Sequence, residues 1–411
     1  MKKAAVLFVF FVFVFVLIFS ADRLPERKKK EEKPVQDITD RITFISEKDY
    51  EPLNYKYQKA MWFTSMDYTE FLAGKTEEEF TEEAKRRFEN AYMMGLNTVY
   101  VQVRAFCDAY YPSEIFPPGK YYTDTGYDPL EIMVRTAHSY GLSFHAWINP
   151  MRCVTTEEKE NLSEEYSFVS EMKNAEFIKE TDGRLWLDPS YEETCDIVCK
   201  GVKEILEKYR VDGIHIDDYF YPTTDESFDE TEFRNSGAEN LAGWRRENTC
   251  RLVKSIYETV KSENPSVLFG ISPQGSIKQN MDVQYADVEK WTSVSGYCDY
   301  IVPQIYYGYE NEECPFSETL SAWKDMIKSE NTDLIIGLCT YKYGSEDRWA
   351  GKGADEWLNS TDIVSNQVKD ITSDSKINGM AFYSYASTFE VPETSGVMLS
   401  GEMQRIREMI K

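Results

Sequence analysis

Histidine is nearly absent: the 411-residue chain has three, at positions 138, 145 and 215. The closely spaced His pair that usually anchors a hydrolytic metal centre is missing, so His145 and His215 read first as hydrogen-bonded core residues. Gly-x-Ser-x-Gly is missing too, and with it the nucleophile elbow of a Ser–His–Asp triad. The first predicted strand runs into TSMDYTEF at 64–71, without the glycines that cradle a dinucleotide phosphate. No cofactor is expected. Positive charge is in deficit, with 46 Lys and Arg against 71 Asp and Glu, a formal net charge of −25. Nucleic acid and anionic membrane surfaces need clustered Lys and Arg, so neither is expected as the main partner.

Aromatic residues, in contrast, are plentiful: 14% of the chain, with 28 Tyr and 8 Trp. Rings with polar tips suit surfaces that stack on sugars; the alternative is an aromatic-rich core. At the N-terminus, Lys2 and Lys3 precede an apolar run from Ala4 to Phe19 and then small residues, the layout of a secretory leader over residues 1–21. The run is shorter than the ~20 residues that span a bilayer, and Phe19 fits poorly before a cut after Ala21, so an uncleaved anchor stays open. An exported protein follows, touching membrane only through that segment. Residues 22–40 are rich in charge, without apolar periodicity, and read as a solvated linker, with the folded domain over 41–411. Eight cysteines are scattered rather than grouped as a disulfide framework. Cys195 and Cys199, four apart on a predicted helix, read as buried small hydrophobes, with a redox or metal pair as the alternative.

From residue 59 onward short β-branched or aromatic runs alternate with helical stretches. Strands are predicted at Ala60–Thr64, Thr98–Val103, Ser143–Asn149, Gly213–Asp217, Leu268–Ser272, Tyr300–Gln304, Leu334–Cys339 and Gly379–Ser384. Eight such repeats imply parallel pairing and closure into a (β/α)8 TIM barrel, an α/β fold; a doubly wound open sheet is the alternative. Barrel chemistry sits where the strands end. Those endings are polar here: Ser65 and Asp67, Arg104, Asn149 with Arg152, Asp217 and Asp218, Ser272 and Gln274, Gln304 and Tyr306, Tyr341, then Tyr383 with Tyr385.

The fourth of these, VDGIHIDDYFYP at 211–222, places two acids at a strand end. Alternation puts His215 and Asp217 inside the barrel, and Asp218 reaches the cleft if the loop begins there. Neighbouring carboxyls resist double ionisation, which keeps one protonated near neutrality. The alternative is that one aspartate caps the following loop. Glycoside hydrolysis uses two carboxyls, commonly from different strands, yet the fifth strand ends in VLFGISPQGS without an acid; Asp67 and Glu310 remain loop candidates. A 2-acetamido group on the substrate can itself act as nucleophile, and two adjacent acids then suffice. Asn149, Gln304 and Tyr306 offer neutral hydrogen bonds to sugar hydroxyls and amides, and Tyr383 ends the eighth strand. Tyr219, Phe220 and Tyr221 are expected to form an aromatic wall, with one packed into the core. Arg104 and Arg152 grip a substrate carboxylate or pair with acids such as Asp108.

MWFTSMDY, GLNTVYVQVR, AYYPSEIFP, YDPLEIMVRTAHSYGLSFHAWINPMR, WLDPS, VDGIHIDDYFYP and DYIVPQIYYG, in this order, resemble the glycosyl-hydrolase-like family 10, which includes divisome-localised and envelope glycosyl hydrolases of bacteria. The resemblance covers residues 58 to 390. It implies a barrel hydrolase of the cell envelope, in some members acting on denuded peptidoglycan strands. The fourth-strand motif DGxDxDxE of chitinase-like family 18 matches only at Asp212, Gly213 and Asp217; His215 and Tyr219 replace its first inner aspartate and its acid glutamate. Adjacent aspartates resemble the pair of family 84 hexosaminidases, which implies that Asp217 orients an acetamido group and Asp218 donates the proton. The expectation is thus a glycoside hydrolase of an N-acetylated envelope polysaccharide. The alternatives are a carbohydrate-binding protein without catalysis and a metal-dependent polysaccharide deacetylase using His215 and Asp217.

Overall fold

The structure is a computed structural model and describes residues 50–122, 126–172, 175–391 and 393–411. The predicted leader and linker lie outside the described residues. The strands are β1 (Gln58–Phe63), β2 (Thr98–Arg104), β3 (Ser143–Ile148), β4 (Arg152–Thr155), β5 (Ile178–Thr181), β6 (Arg184–Leu187), β7 (Gly213–Ile216), β8 (Leu268–Ile271), β9 (Tyr300–Ile301), β10 (Asp333–Cys339) and β11 (Gly379–Tyr383). Eight of them close into a parallel barrel in the order β1-β11-β10-β9-β8-β7-β3-β2. Helices such as Glu77–Met94, Glu192–Lys208 and Leu241–Glu263 return the chain between strands. The fold is a (β/α)8 barrel, as the alternation of the sequence implies.

Local chemistry sets the boundaries. The first long helix starts at Glu77 because Thr76 and Glu79 form a reciprocal capping box. β9 is two residues long rather than five: Pro303 has no N–H to give the ladder, and pairing resumes only as isolated bridges from Gln304 to Gln274 and Gly337. Between β3 and β7 stands an antiparallel sheet, β4-β6-β5, that the strand count omits. Its hairpin turns on Asp182 and Gly183, both in the left-handed region at φ 52° and 71°, the two-residue turn that Asp-Gly favours.

Two apolar layers result. Met61, Phe63, Val99 and Val101 face outward to the helices, while Ala60, Trp62, Tyr100, Trp147 and Tyr300 fill the barrel. The interior is aromatic and polar together. Trp62 Nε1 donates to His215 Nε2 (3.1 Å), and the other His215 nitrogen lies 3.1 Å from the Tyr300 hydroxyl. Tyr300 also meets His145 Nδ1 at 2.6 Å, whose Nε2 lies 3.0 Å from Ser143 Oγ. With both imidazoles neutral every contact in this network pairs a donor with an acceptor, and burial depresses both imidazole pKa values, His145 to about 4. The Tyr100 ring stacks on His215 at 4.2 Å. Glycine opposite these rings is a packing requirement, since a Cβ on Gly270 would fall within the Tyr300 ring.

At the opposite end of β7 from the paired acids, Asp212 is fully buried and accepts from the Leu53 and Phe144 backbone N–H groups, each at 2.6 Å. His138 Nε2 lies 2.8 Å from Oδ2, the oxygen that also accepts from Phe144. The acid that opens the fourth-strand motif therefore closes the barrel floor.

Candidate active site

β3 and β7 pair in a register that sets His215 against Trp147, so Asn149 and Asp217 meet one layer higher, at the barrel mouth. Asn149 Nδ2 donates to Asp217 Oδ2 at 2.9 Å, and the Tyr219 N–H lies 3.4 Å from Oδ1. Asp217 is only 3% exposed. The ladder stops at Ile216 and the chain bends at Asp218, which turns consecutive side chains into the same cleft. Asp218 is half-buried, and Gln304 Nε2 donates to its Oδ1 at 3.3 Å. Asp217 thus holds the start of the following loop through Oδ1 while Oδ2 is engaged by Asn149 across the cleft.

Burial raises both carboxyl pKa values. At Asp217 the charge of Asp218 adds to the rise, while the Tyr219 N–H, Asn149 and the Arg152 guanidinium oppose it. At Asp218 its own backbone N–H, Gln304, Gln274 and Arg152 oppose the rise. Two such groups resist double ionisation, so the pair holds on to its last proton more tightly than either carboxyl would alone.

Support for Asp217 extends across three strands. The Ser65 N–H donates to Gln102 Oε1 (2.9 Å), Gln102 Nε2 to Asn149 Oδ1 (2.8 Å), and Asn149 to Asp217. Gln102 is absent from the sequence reading, although it stands two residues beyond inward-facing Tyr100. Hydrogen bonds to a charged group contribute about 1.5–3 kcal/mol. Asn149→Ala is expected to lower kcat/KM about 10- to 100-fold on a cleaved substrate, with the circular dichroism of the native fold, as steady-state kinetics can check.

The remaining candidates divide. Arg152 lies 4.1 Å over the Tyr219 ring and 4.8 Å from Phe106, near enough to the acids to lower both pKa values. Tyr306, Tyr341 and Tyr383 pack edge to face or tilted, 5.7 to 6.1 Å apart, and the buried Tyr306 hydroxyl has no hydrogen-bond partner among the described residues. Burial and the charges of Tyr219, Asp217, Asp67 and Asp218 raise the Tyr383 phenol. Asp67 itself, on the turn after β1, is pushed up to about 6 by burial against the pull of Arg87.

Arg104 is a correction. A bulge between Gln102 and Arg104 pairs Arg104 with Ile148 and turns it to the outer face of the barrel. There it is fully buried, its guanidinium 3.7 Å from the Phe116 ring and pressed against Gly201, so it reaches neither cleft nor substrate. Two rather than one of the three aromatics after the acids join the core: Phe220 packs on Trp291 and Tyr221 on Tyr285, leaving Tyr219 at the cleft. Tyr385, placed at the rim by the sequence, is wholly buried and stacks on Phe63 at 4.9 Å.

This arrangement can be set beside known proteins. The family model described as Glycosyl hydrolase-like 10 matches residues 58–351, from β1 into the loop beyond β10. The chain belongs to the glycosyl hydrolase-like 10 family. Glycosyl hydrolase YngK of Bacillus subtilis (strain 168) is 32% identical over 313 residues, 69% of this chain and 61% of that protein. Glycosyl hydrolase DigH of Escherichia coli (strain K12) is 32% identical over 291 residues, 64% of this chain and 66% of its own length. The chain therefore spans less than two thirds of the length of either relative. Among solved structures, the glycoside hydrolase domain of PgaB (BpsB) from Bordetella bronchiseptica superposes with a TM-score of 0.58 at 11% identity, covering 86% of this chain and 99% of that one, a likeness of fold.

Proposed function

We propose that this member of the glycosyl hydrolase-like 10 family is an exported glycoside hydrolase acting on an N-acetylated envelope polysaccharide, with denuded peptidoglycan strands as the first candidate. The observation that carries the reading is the pair itself: two adjacent carboxyls at one barrel mouth, pKa values raised, each held by neutral amide donors. Once the substrate's acetamido N–H favours the charged form of Asp217, the pair's proton resides on Asp218, the more accessible of the two, which protonates the glycosidic oxygen. Asp217, fixed by Asn149, accepts from the acetamido N–H and holds the carbonyl oxygen toward the anomeric carbon. That oxygen closes on the carbon as the leaving group departs, and water then reopens the ring, returning the proton to Asp218. The unpaired Tyr306 hydroxyl is a donor available to the substrate, and Tyr219 and Tyr383 supply ring surface.

The deacetylase alternative needs His215 to turn a nitrogen toward Asp217 and a metal. Both of its ring nitrogens are engaged, by Trp62 and Tyr300. A pure binding protein has no use for two acids whose ionised forms repel. Incubating the full chain with a panel of envelope and plant glycans and weighing the products decides among these. Shortened chains with new reducing ends support hydrolysis, released acetate supports deacetylation, and binding with unaltered glycan supports a lectin-like role.

A further inference from the structure

Among the described residues one pair of thiols is in direct contact: Cys107 and Cys153, with sulfurs 3.0 Å apart. Even carbon atoms rest at roughly 3.5–4.0 Å, and sulfur is larger, so this spacing lies inside non-bonded contact. Both residues are buried, at 1% and 0% exposed. They come from different elements, 46 residues apart. Cys107 follows β2 in left-handed backbone, φ 53°, in a turn tied down by Asp108, whose Oδ1 accepts from the Ala105 and Phe106 N–H groups at 2.8 Å. Cys153 is the second residue of β4.

The neighbours of both cysteines belong to the cleft wall. Phe106 precedes Cys107, and its ring meets two guanidiniums, at 4.8 Å from Arg152 and 4.6 Å from Arg184. Arg152 precedes Cys153 and lies over Tyr219 beside the acids. We propose that Cys107 and Cys153 form a disulfide that staples the β2 loop to β4 alongside the Phe106–Arg152 stack. The bond forms by exchange: one thiolate attacks an external disulfide such as oxidised glutathione, expelling one glutathione thiol, and the second attacks the resulting mixed disulfide at the protein sulfur, expelling the other. The two cysteines lose two protons and two electrons, and the oxidant leaves as two thiols. Burial raises the Cys153 thiol pKa well above its ordinary value, so the exchange belongs to the folding chain, before the pair is enclosed.

The test is independent of any activity. The full chain is synthesised in a cell-free system poised with oxidised and reduced glutathione, denatured without reductant, alkylated and weighed. Six alkylated cysteines of the eight, rising to eight after reduction, are expected, with one reducible peptide pair joining Cys107 to Cys153. The Cys107→Ser variant, which frees Cys153, is expected to take up seven. The oxidised chain is expected to melt several degrees above the reduced one, since the bridge closes a long loop in the unfolded state. Eight alkylated cysteines in the unreduced chain, or a bridge between other positions, overturns the proposal.

Discussion

Asp218→Asn is expected to lower kcat/KM for glycan cleavage by about 10²–10⁴-fold, the range that a positioned general acid contributes. Asparagine keeps the shape of the side chain and accepts from Gln304 in place of the carboxyl oxygen, so folding is preserved. What is lost is the transferable proton. The loss should fall on kcat, because protonation of the leaving oxygen belongs to the transition state rather than to binding. A substrate with a very good leaving group, such as an aryl glycoside, should recover part of the rate. Reducing-end release from a cleaved glycan, with an aryl glycoside in parallel, measures both, and unchanged turnover would remove Asp218 from the role.

Asp217→Asn is expected to cost activity on the same scale and yet to raise stability at neutral pH. The carboxyl of Asp217 has a pKa raised by burial and by Asp218, above the ~3.9 it takes in an unfolded chain. Below the unfolded value both states are protonated and the residue contributes nothing pH-dependent. As pH rises between the two values the unfolded chain releases the proton while the folded chain retains it, and folding loses stability; above the folded value the loss is complete. Asparagine removes that dependence. The thermal midpoint of the variant should match the wild type near pH 4 and exceed it increasingly toward neutrality, by differential scanning calorimetry across pH. A variant no more stable than wild type at pH 7 would show that the pair is not strained in the folded protein.

The barrel was legible because its cause is local. Period-two runs such as Gly213–Ile216, separated by amphipathic stretches such as Leu241–Glu263, leave parallel pairing as the means of burying both. The acids at 217 and 218 were legible for the same reason, as polar residues ending an apolar strand. The β4-β6-β5 sheet escaped although Asp182-Gly183 between alternating residues marks its hairpin, because the repeating barrel pattern absorbed the segment.

Arg104 shows what alternation alone misplaces. Counting by twos from Tyr100 puts it inside, and one bulged residue puts it outside against Phe116. Tyr221 and Tyr385 likewise carry no mark distinguishing a ring over the cleft from one in the core; the helices and loops packed around them settle it.

The sequence by itself determined the order of strands and helices, the acids at a strand end, and the family, because periodicity and motif spacing are properties of the chain. Only the tertiary structure decided that Gln102 and Asn149 brace Asp217, that Gln304 reaches Asp218, and that Cys107 touches Cys153. Contacts between residues 46 or more positions apart, as these are, depend on register, bulges and closure of the ring of strands, which no local stretch encodes.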